Sequence, residues 1–326
     1  MGFSWQVRFE NLNIDVVFNA DNGGVDCAVN ICGPEHVGGV VGSSNNSAFN
    51  NIQVNAQVMG INNPSTPGVL GGMAGSISEG SVEEVAVTGS VTGSTSIGGL
   101  AGYVTDSDIQ STVAITQLNG TSAVGGLIGH AAKTTLNNVL LSGSLITGTG
   151  KNKEASGGGV IGLADSEVNI AGVISLMSLQ NDPQEQHYIG AIIGRTDSSS
   201  VSQVYWASDL ALKEQMYGIS NVTGPTQTFD LTDIQCASDS SACNGLQFLN
   251  FSEQTNHVQQ SLWDFGSNEE APVMILASGT YGDRDGNGEM DSPMAKRQAQ
   301  ASDSSSGLGG LFYMVLLLMP LVLRRR

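Results

Sequence analysis

The stretch "IGGLAGYVTDSDIQSTVAITQLNG" at residues 97–120 is followed almost at once by "VGGLIGHAAKTTLNNVLLSGSLITG" at 124–148. Each opens on a hexad of glycines and aliphatic residues, passes through polar turn residues and continues as an alternating run. Working outward, the hexad recurs as "VGGVVG" (37–42), "LGGMAG" (70–75), "GGGVIG" (157–162) and "IGAIIG" (189–194). The second residues are Gly38, Gly71, Gly98, Gly125, Gly158 and Gly190, spaced 33, 27, 27, 33 and 32 residues apart. Six copies at so regular a period mark an array of stacked units.

The runs between hexads read as strands. In "VEEVAVTGSV" (82–91) apolar residues recur at period two around Val85 and Val87, a strand signal rather than a helical one. Turn residues every eight to twelve positions leave little room for helices. One repeat cannot bury its own apolar face, whereas stacked repeats bury a continuous one. The expected fold class is therefore all-β, a right-handed β-solenoid resembling a parallel β-helix. Ile97, Leu100 and their equivalents should form ladders. Gly98, Gly99 and Gly102 should permit close backbone approach or positive φ at a corner. Leu127→Asp should open the array locally, and Gly126→Val should strain the corner.

Composition supports a narrow aliphatic core. The 326-residue chain is 40% hydrophobic and only 6% aromatic, with 43 glycines. Lys plus Arg is 12 against 30 Asp plus Glu, a net charge of −18. Such a surface repels phosphate backbones and excludes nucleic acid as a partner. The hexads are not nucleotide loops, because none is followed by a helical pattern. The cysteines form two close pairs, Cys27/Cys32 and Cys236/Cys243. In a Ser-, Asn- and Gly-rich chain this points to two local disulfides and an oxidising compartment. Four unrelated thiols are the alternative, and the spacings do not suit a zinc knuckle.

The copies at 97–120 and 124–148 resemble the GLUG motif of bacterial surface proteins, adhesins and some secreted peptidases. The resemblance covers about residues 37–205, with Ala191 replacing the second glycine of the last hexad. "VSQVYWAS" (201–208) and "SLWDFGSNEEAPVMIL" (261–276) are similar to segments that close such arrays. The resemblance implies a β-helical surface architecture and no single reaction.

The end of the chain, "GLGGLFYMVLLLMPLVLRRR" (307–326), resembles the GlyGly C-terminal sorting signal of Gram-negative bacteria. The matching residues are Gly309, Gly310, the apolar run Leu311–Leu323 and Arg324, Arg325 and Arg326. That run is short for a permanent span of about 20 residues, and the arginines would stay on the cytoplasmic side. The resemblance implies a sorting protease as partner, transient inner-membrane anchoring, and delivery to the cell surface, the outer membrane or the medium. A plain C-terminal anchor is the alternative. The stretch "MGFSWQVRFENLNIDVVFNADNG" (1–23) lacks the basic start and apolar run of an export signal. It reads as strands within an array, so the natural chain is expected to extend upstream.

Near the tail, "DRDGNGEMD" (283–291) places Asp283, Asp285, Asn287 and Asp291 at positions 1, 3, 5 and 9 of a calcium loop, with Gly288 at the turn. Position 12 is Met294 in place of the usual glutamate. A weak calcium turn and a solvated acidic linker are both compatible with it. No catalytic constellation emerges. His36, His130, His187 and His257 lack the spacing of a helical metal site. Glu79, Asp106, Asp108, Asp165, Glu167 and Asp197 follow the hexads and should line one edge of the stack, interrupted by Lys133. They are read either as solvated turns or as a cation- or receptor-facing ridge.

The expected organisation is N-terminal strands over 1–36, the repeat array over 37–205, a capping segment over 206–277, an acidic flexible linker over 278–306 and the sorting segment over 307–326. The expected function is a non-catalytic, adhesin-like surface scaffold without a cofactor other than calcium, whose ligand is a host or matrix glycan or protein. A polysaccharide lyase or glycosidase on a β-helix scaffold is the alternative.

Overall fold

The computed structural model describes residues 2–19, 36–60, 68–147, 155–181, 188–211, 217–219, 230–235, 254–265 and 270–291. The chain forms two units, Met1–Met290 and Asp291–Arg326. The first is mostly β-structure, with two single-turn helices among its described residues, Ser208–Ala211 and Leu231–Ile234. None of the described helices is long and apolar enough to cross a membrane.

Each repeat pairs in parallel and in register with the next. A six-stranded sheet is built from the hexad strands, from His36–Gly38 through Ser96–Gly98 to Tyr188–Gly190. The remaining repeat strands form a separate 13-stranded sheet. Phe3 pairs with Ser43, Val41 with Ala74, Ala74 with Ala101, Ala101 with Ile128, Ile128 with Ile161 and Ile161 with Ile193. These partners are 40, 33, 27, 27, 33 and 32 residues apart. Nearly all the variation falls between the end of one long strand and the next hexad strand. Three residues suffice between Thr92 and Ser96 and two between Gly120 and Ala123, whereas nine separate Met59 from Val69. Lengthening a loop outside the ladders costs little, so the stack tolerates an uneven period at that corner.

The first pairing adds a repeat that no hexad announces. Arg8–Asn19 lies along Ala48–Met59, with Leu12 beside Ile52 and Ile14 beside Val54. Phe9 and Phe49 stack with centroids 4.9 Å apart. Phe3–Trp5 and Arg8–Asn19 therefore contribute an edge to the array.

One continuous core runs from Phe9 to Ala211. Leu70, Ile97 and Val124 form one ladder, and Met73, Leu100, Leu127, Val160 and Ile192 are all fully or almost fully buried. Burying one such side chain contributes about 1.5–3 kcal/mol. The hexad glycines serve close approach and not positive φ. A Cβ on Gly126 would lie 2.0 Å from the Gly159 carbonyl oxygen of the next repeat. That proximity lets the corner bond between repeats, as from the Leu127 N–H to the Val160 oxygen at 2.9 Å.

Positive φ falls instead on two columns of mostly non-glycine residues. Gln6, Asn46, Glu79, Asp106, Lys133 and Glu167 make the first bend after the hexad. Asn11, Asn51, Glu84, Ser111, Asn138, Gly172 and Gln203 make the second. The long strands Ala101–Gly120 and Ile128–Thr147 turn twice at these residues while their flanks stay paired. Non-glycine residues enter the left-handed region at a cost of about 1–2 kcal/mol each. Asn and Asp enter it most readily because their short side chains bond locally.

Candidate functional site

Beyond the second bend, the outward faces of the long strands change character along the stack. One outward ladder reads Asn13, Gln53, Ala86, Val113, Leu140, Ile174, Tyr205. It turns from amide to apolar where a second core begins. That core joins Val113, Ile115, Leu140, Ile174 and Leu176 to Ile234, Leu262, Trp263, Met274, Leu276 and Tyr281. The C-terminal segment thus covers the flank of the stack, as an antiparallel sheet of Trp263–Asp264, Val273–Leu276 and Gly279–Tyr281.

Polar contacts from three stack residues, Glu84, Asn138 and Ser142, fasten this cover. The carboxylate of Glu84, 1% exposed, accepts the backbone N–H of His257 at 2.6 Å and of Ala277 at 2.8 Å. His257 Nδ1 lies 2.8 Å from the same carboxylate. Asn138 Nδ2 donates to Gln254 Oε1 at 3.4 Å. The Ser142 hydroxyl donates to the buried Asp283 carboxylate. Within the cover, Arg284 joins Asp264 at 2.6 Å and Glu270 at 3.4 Å.

Residues 278–290 are consequently not spacer, as their composition suggests, but part of the cover. Gly279–Tyr281 is a strand, and Tyr281 and Asp283 are buried. The expected calcium loop follows directly. One carboxylate oxygen of Asp283 lies within 4.8 Å of one of Asp285, and Asp291 belongs to the second unit. Asp283 also accepts N–H bonds from Asn287 at 3.0 Å and Gly288 at 2.8 Å. Asp285 accepts from Asn287 Nδ2 at 3.0 Å, and Asn287 Oδ1 accepts the Glu289 N–H at 2.7 Å. A hard cation takes six to eight oxygen ligands. Here several of those oxygens accept hydrogen bonds from the loop's own N–H groups and from Ser142. Burial raises the Asp283 pKa, and the bonds from Ser142, Gly288 and Asn287 oppose that rise.

The tip of this loop rests on Gly143, where a Cβ on Gly288 would come within 3.4 Å of the Gly143 Cα. A cavity opens on each side of the tip. One, of about 320 Å³, is lined by Gln117, Ser144, Ser178, Asn287 and Glu289 among others. The second, of about 270 Å³, is lined by Gln57, Ser90, Gln117, Glu289 and Met290 among others. Gln117, Gly288 and Glu289 line both, so the two cavities adjoin at the loop tip, and together they are called the furrow.

Of the six acids expected along one edge, Glu79, Asp106 and Glu167 share positive φ with Lys133 at the first bend, and Asp108, Asp165 and Asp197 do not. Lys133 Nζ lies 3.8 Å from Asp106. His130 Nε2 lies 2.8 Å from Asp165, and Tyr103 stands edge-on to His130 with centroids 4.9 Å apart. No hydroxyl nucleophile is bonded to His130 in this group. His36 is in the first hexad strand, His257 belongs to the cover, and His187 lies outside the described residues. So do the cysteines of the expected Cys27–Cys32 and Cys236–Cys243 disulfides and the residues of the expected sorting signal, Gly309, Gly310, Arg324, Arg325 and Arg326.

Sequence reasoning missed Glu84 and the covered flank. A signal existed for both. "SVEEVAVTG" (81–89) sets two acids between valines and breaks the alternation at the bend. "TVAIT" (112–116) and "VLL" (139–141) are continuous apolar runs, which mark strands buried on both faces. No family model matches the chain, and no curated protein or solved structure matches it.

Proposed function

We propose that the chain is an adhesin-like β-solenoid that works as a non-catalytic scaffold on the surface of a Gram-negative bacterium. The observation that carries the reading is the in-register parallel pairing of successive hexads over one continuous core. Such a stack is stiff, extends by adding repeats, and leaves its exposed first bends free for contact. A right-handed coil fits the strong preference of parallel crossovers. The GLUG-like hexads and the GlyGly-like tail support surface display, with a sorting protease releasing the chain from the inner membrane. The acidic surface suits contact with uncharged or basic partners.

The test is surface labelling of intact cells that express the chain behind an export signal, with and without residues 307–326, followed by adhesion to immobilised matrix glycans and proteins. Labelling lost on deletion, with adhesion by the full chain, is the expected result. Equal labelling of both forms would overturn the sorting role. Full labelling without adhesion to any surface would overturn the adhesive one.

A further inference from the structure

The furrow beside the Gly286–Met290 loop has a chemistry of its own. Its floor is the outward ladder Gln57, Ser90, Gln117, Ser144, Ser178, one side chain per repeat and all in register. Neighbouring strands stand about 4.8 Å apart, so five rungs span roughly 19 Å. Every rung ends in an amide or a hydroxyl, groups that both donate and accept hydrogen bonds. Gln57 and Gln117 are exposed, and Ser90, Ser144 and Ser178 are half-buried. Among the described residues, Glu289 on the loop is the single ionisable side chain lining the two cavities.

We propose that this furrow binds a linear, uncharged oligosaccharide lying along the stack. The inference rests on the surface-scaffold reading and names the ligand class of that scaffold. Sugar hydroxyls are donors and acceptors at a regular spacing, and the ladder offers the complementary pattern at each rung. Leu210 and Met290, both partly buried, supply apolar patches for sugar C–H faces. An anionic chain would meet Glu289 and a protein of net charge −18. An extended peptide joining by β-augmentation needs a free strand edge. The central floor strands Ala101–Gly120 and Ile128–Thr147 have none, being paired on both sides, and only Val168–Asn181 runs past its last described partner, at Ser175. Gly143 has φ of +116° and carries no side chain, so the loop tip can sit low enough to wall the furrow.

The experiment is calorimetric titration of the full chain with neutral glucan, mannan and galactan hexasaccharides, a hexauronate and a lysine-rich decapeptide. The variants are Gln117→Ala, which removes the amide shared by both cavities, and Ser144→Trp, which fills one of them. Both positions face outward, and the circular dichroism of each variant is compared with native. At least one neutral hexasaccharide should bind and the hexauronate should not. Gln117→Ala should weaken binding about fivefold, the loss of one or two hydrogen bonds, and Ser144→Trp should abolish it. The inference is overturned if no neutral hexasaccharide binds at millimolar concentration, if Gln117→Ala binds as the native chain does, or if the decapeptide alone binds. Surface labelling separates the two readings. A displayed chain that binds no sugar defeats the furrow alone, and a sugar-binding chain that is never displayed defeats the surface reading alone.

Discussion

Oε1 of Glu84 lies 2.6 Å from the backbone nitrogen of His257 and 2.8 Å from its Nδ1. The two residues are 173 positions apart. Glu84 sits at the second bend of its repeat with φ of 53°, a position the stack otherwise gives mainly to Asn, Ser, Gln and Gly. Its side chain turns that bend into the anchor of the C-terminal cover.

Removing the anchor should loosen the cover and spare the stack. Glu84→Ala leaves the part-buried N–H groups of His257 and Ala277 without their acceptor, at a cost of about 1–3 kcal/mol in all. Glu84→Gln keeps one carbonyl acceptor and should cost less. Hydrogen exchange followed by mass spectrometry should show faster exchange over 254–265 and 270–281 in Glu84→Ala, with 96–147 unchanged. Equal loss of protection in both regions would mean that the cover and the stack unfold as one.

Asp283 sets a pH dependence of the same cover. Burial raises its pKa above the ordinary value of 3.8, so the folded state holds the proton more tightly than the unfolded chain. The stabilisation from this group is fully present below the unfolded value and is lost as pH rises through the folded one. Asp283→Asn removes the titration and keeps the shape. Between about pH 7 and pH 4, the difference in Tm should move in favour of the native chain. Movement the other way would place a carboxylate stabilised in its charged form at this position.

Two glycines should respond oppositely to one methyl group. At Gly126 a Cβ would lie 2.0 Å from the Gly159 oxygen, so Gly126→Ala must separate the repeats or distort the corner. A loss of several kcal/mol is expected, in the range of a disrupted core. At Gly68 the nearest atom to such a Cβ is 3.7 Å away, on Leu70. Gly68→Ala should be neutral or stabilise by up to about 1 kcal/mol through reduced freedom of the unfolded chain. Urea titrations of the two variants decide this.

Position along the stack should scale the cost of core truncation. Leu127 is 0% exposed with repeats on both sides, and Leu127→Ala should cost about 2–5 kcal/mol. Leu127→Asp should do more, because it buries an unpaired charge. Leu12 belongs to the edge strand Arg8–Asn19 and is only partly buried. Leu12→Ala should cost less than half as much as Leu127→Ala, and equal losses in urea denaturation would show that the edge is as closed as the middle.

The sequence by itself determined the strands, the repeat and the phase of the side chains. Apolar and glycine residues recur at fixed offsets, and a parallel in-register stack copies each offset directly into contact. Ile97 could therefore be set beside Leu70 and Val124 before any coordinates. What only the tertiary structure decided is non-local in a different way. The meeting of Glu84 with His257 and of Ser142 with Asp283 repeats no period, and nothing in either residue names the other. The apolar outward run Ala86, Val113, Leu140, Ile174 shows that the flank must be covered, yet not by which segment. The furrow exists only because residues 283–290 close over Gly143, a fact of chain return and packing that leaves no periodic trace in the chain.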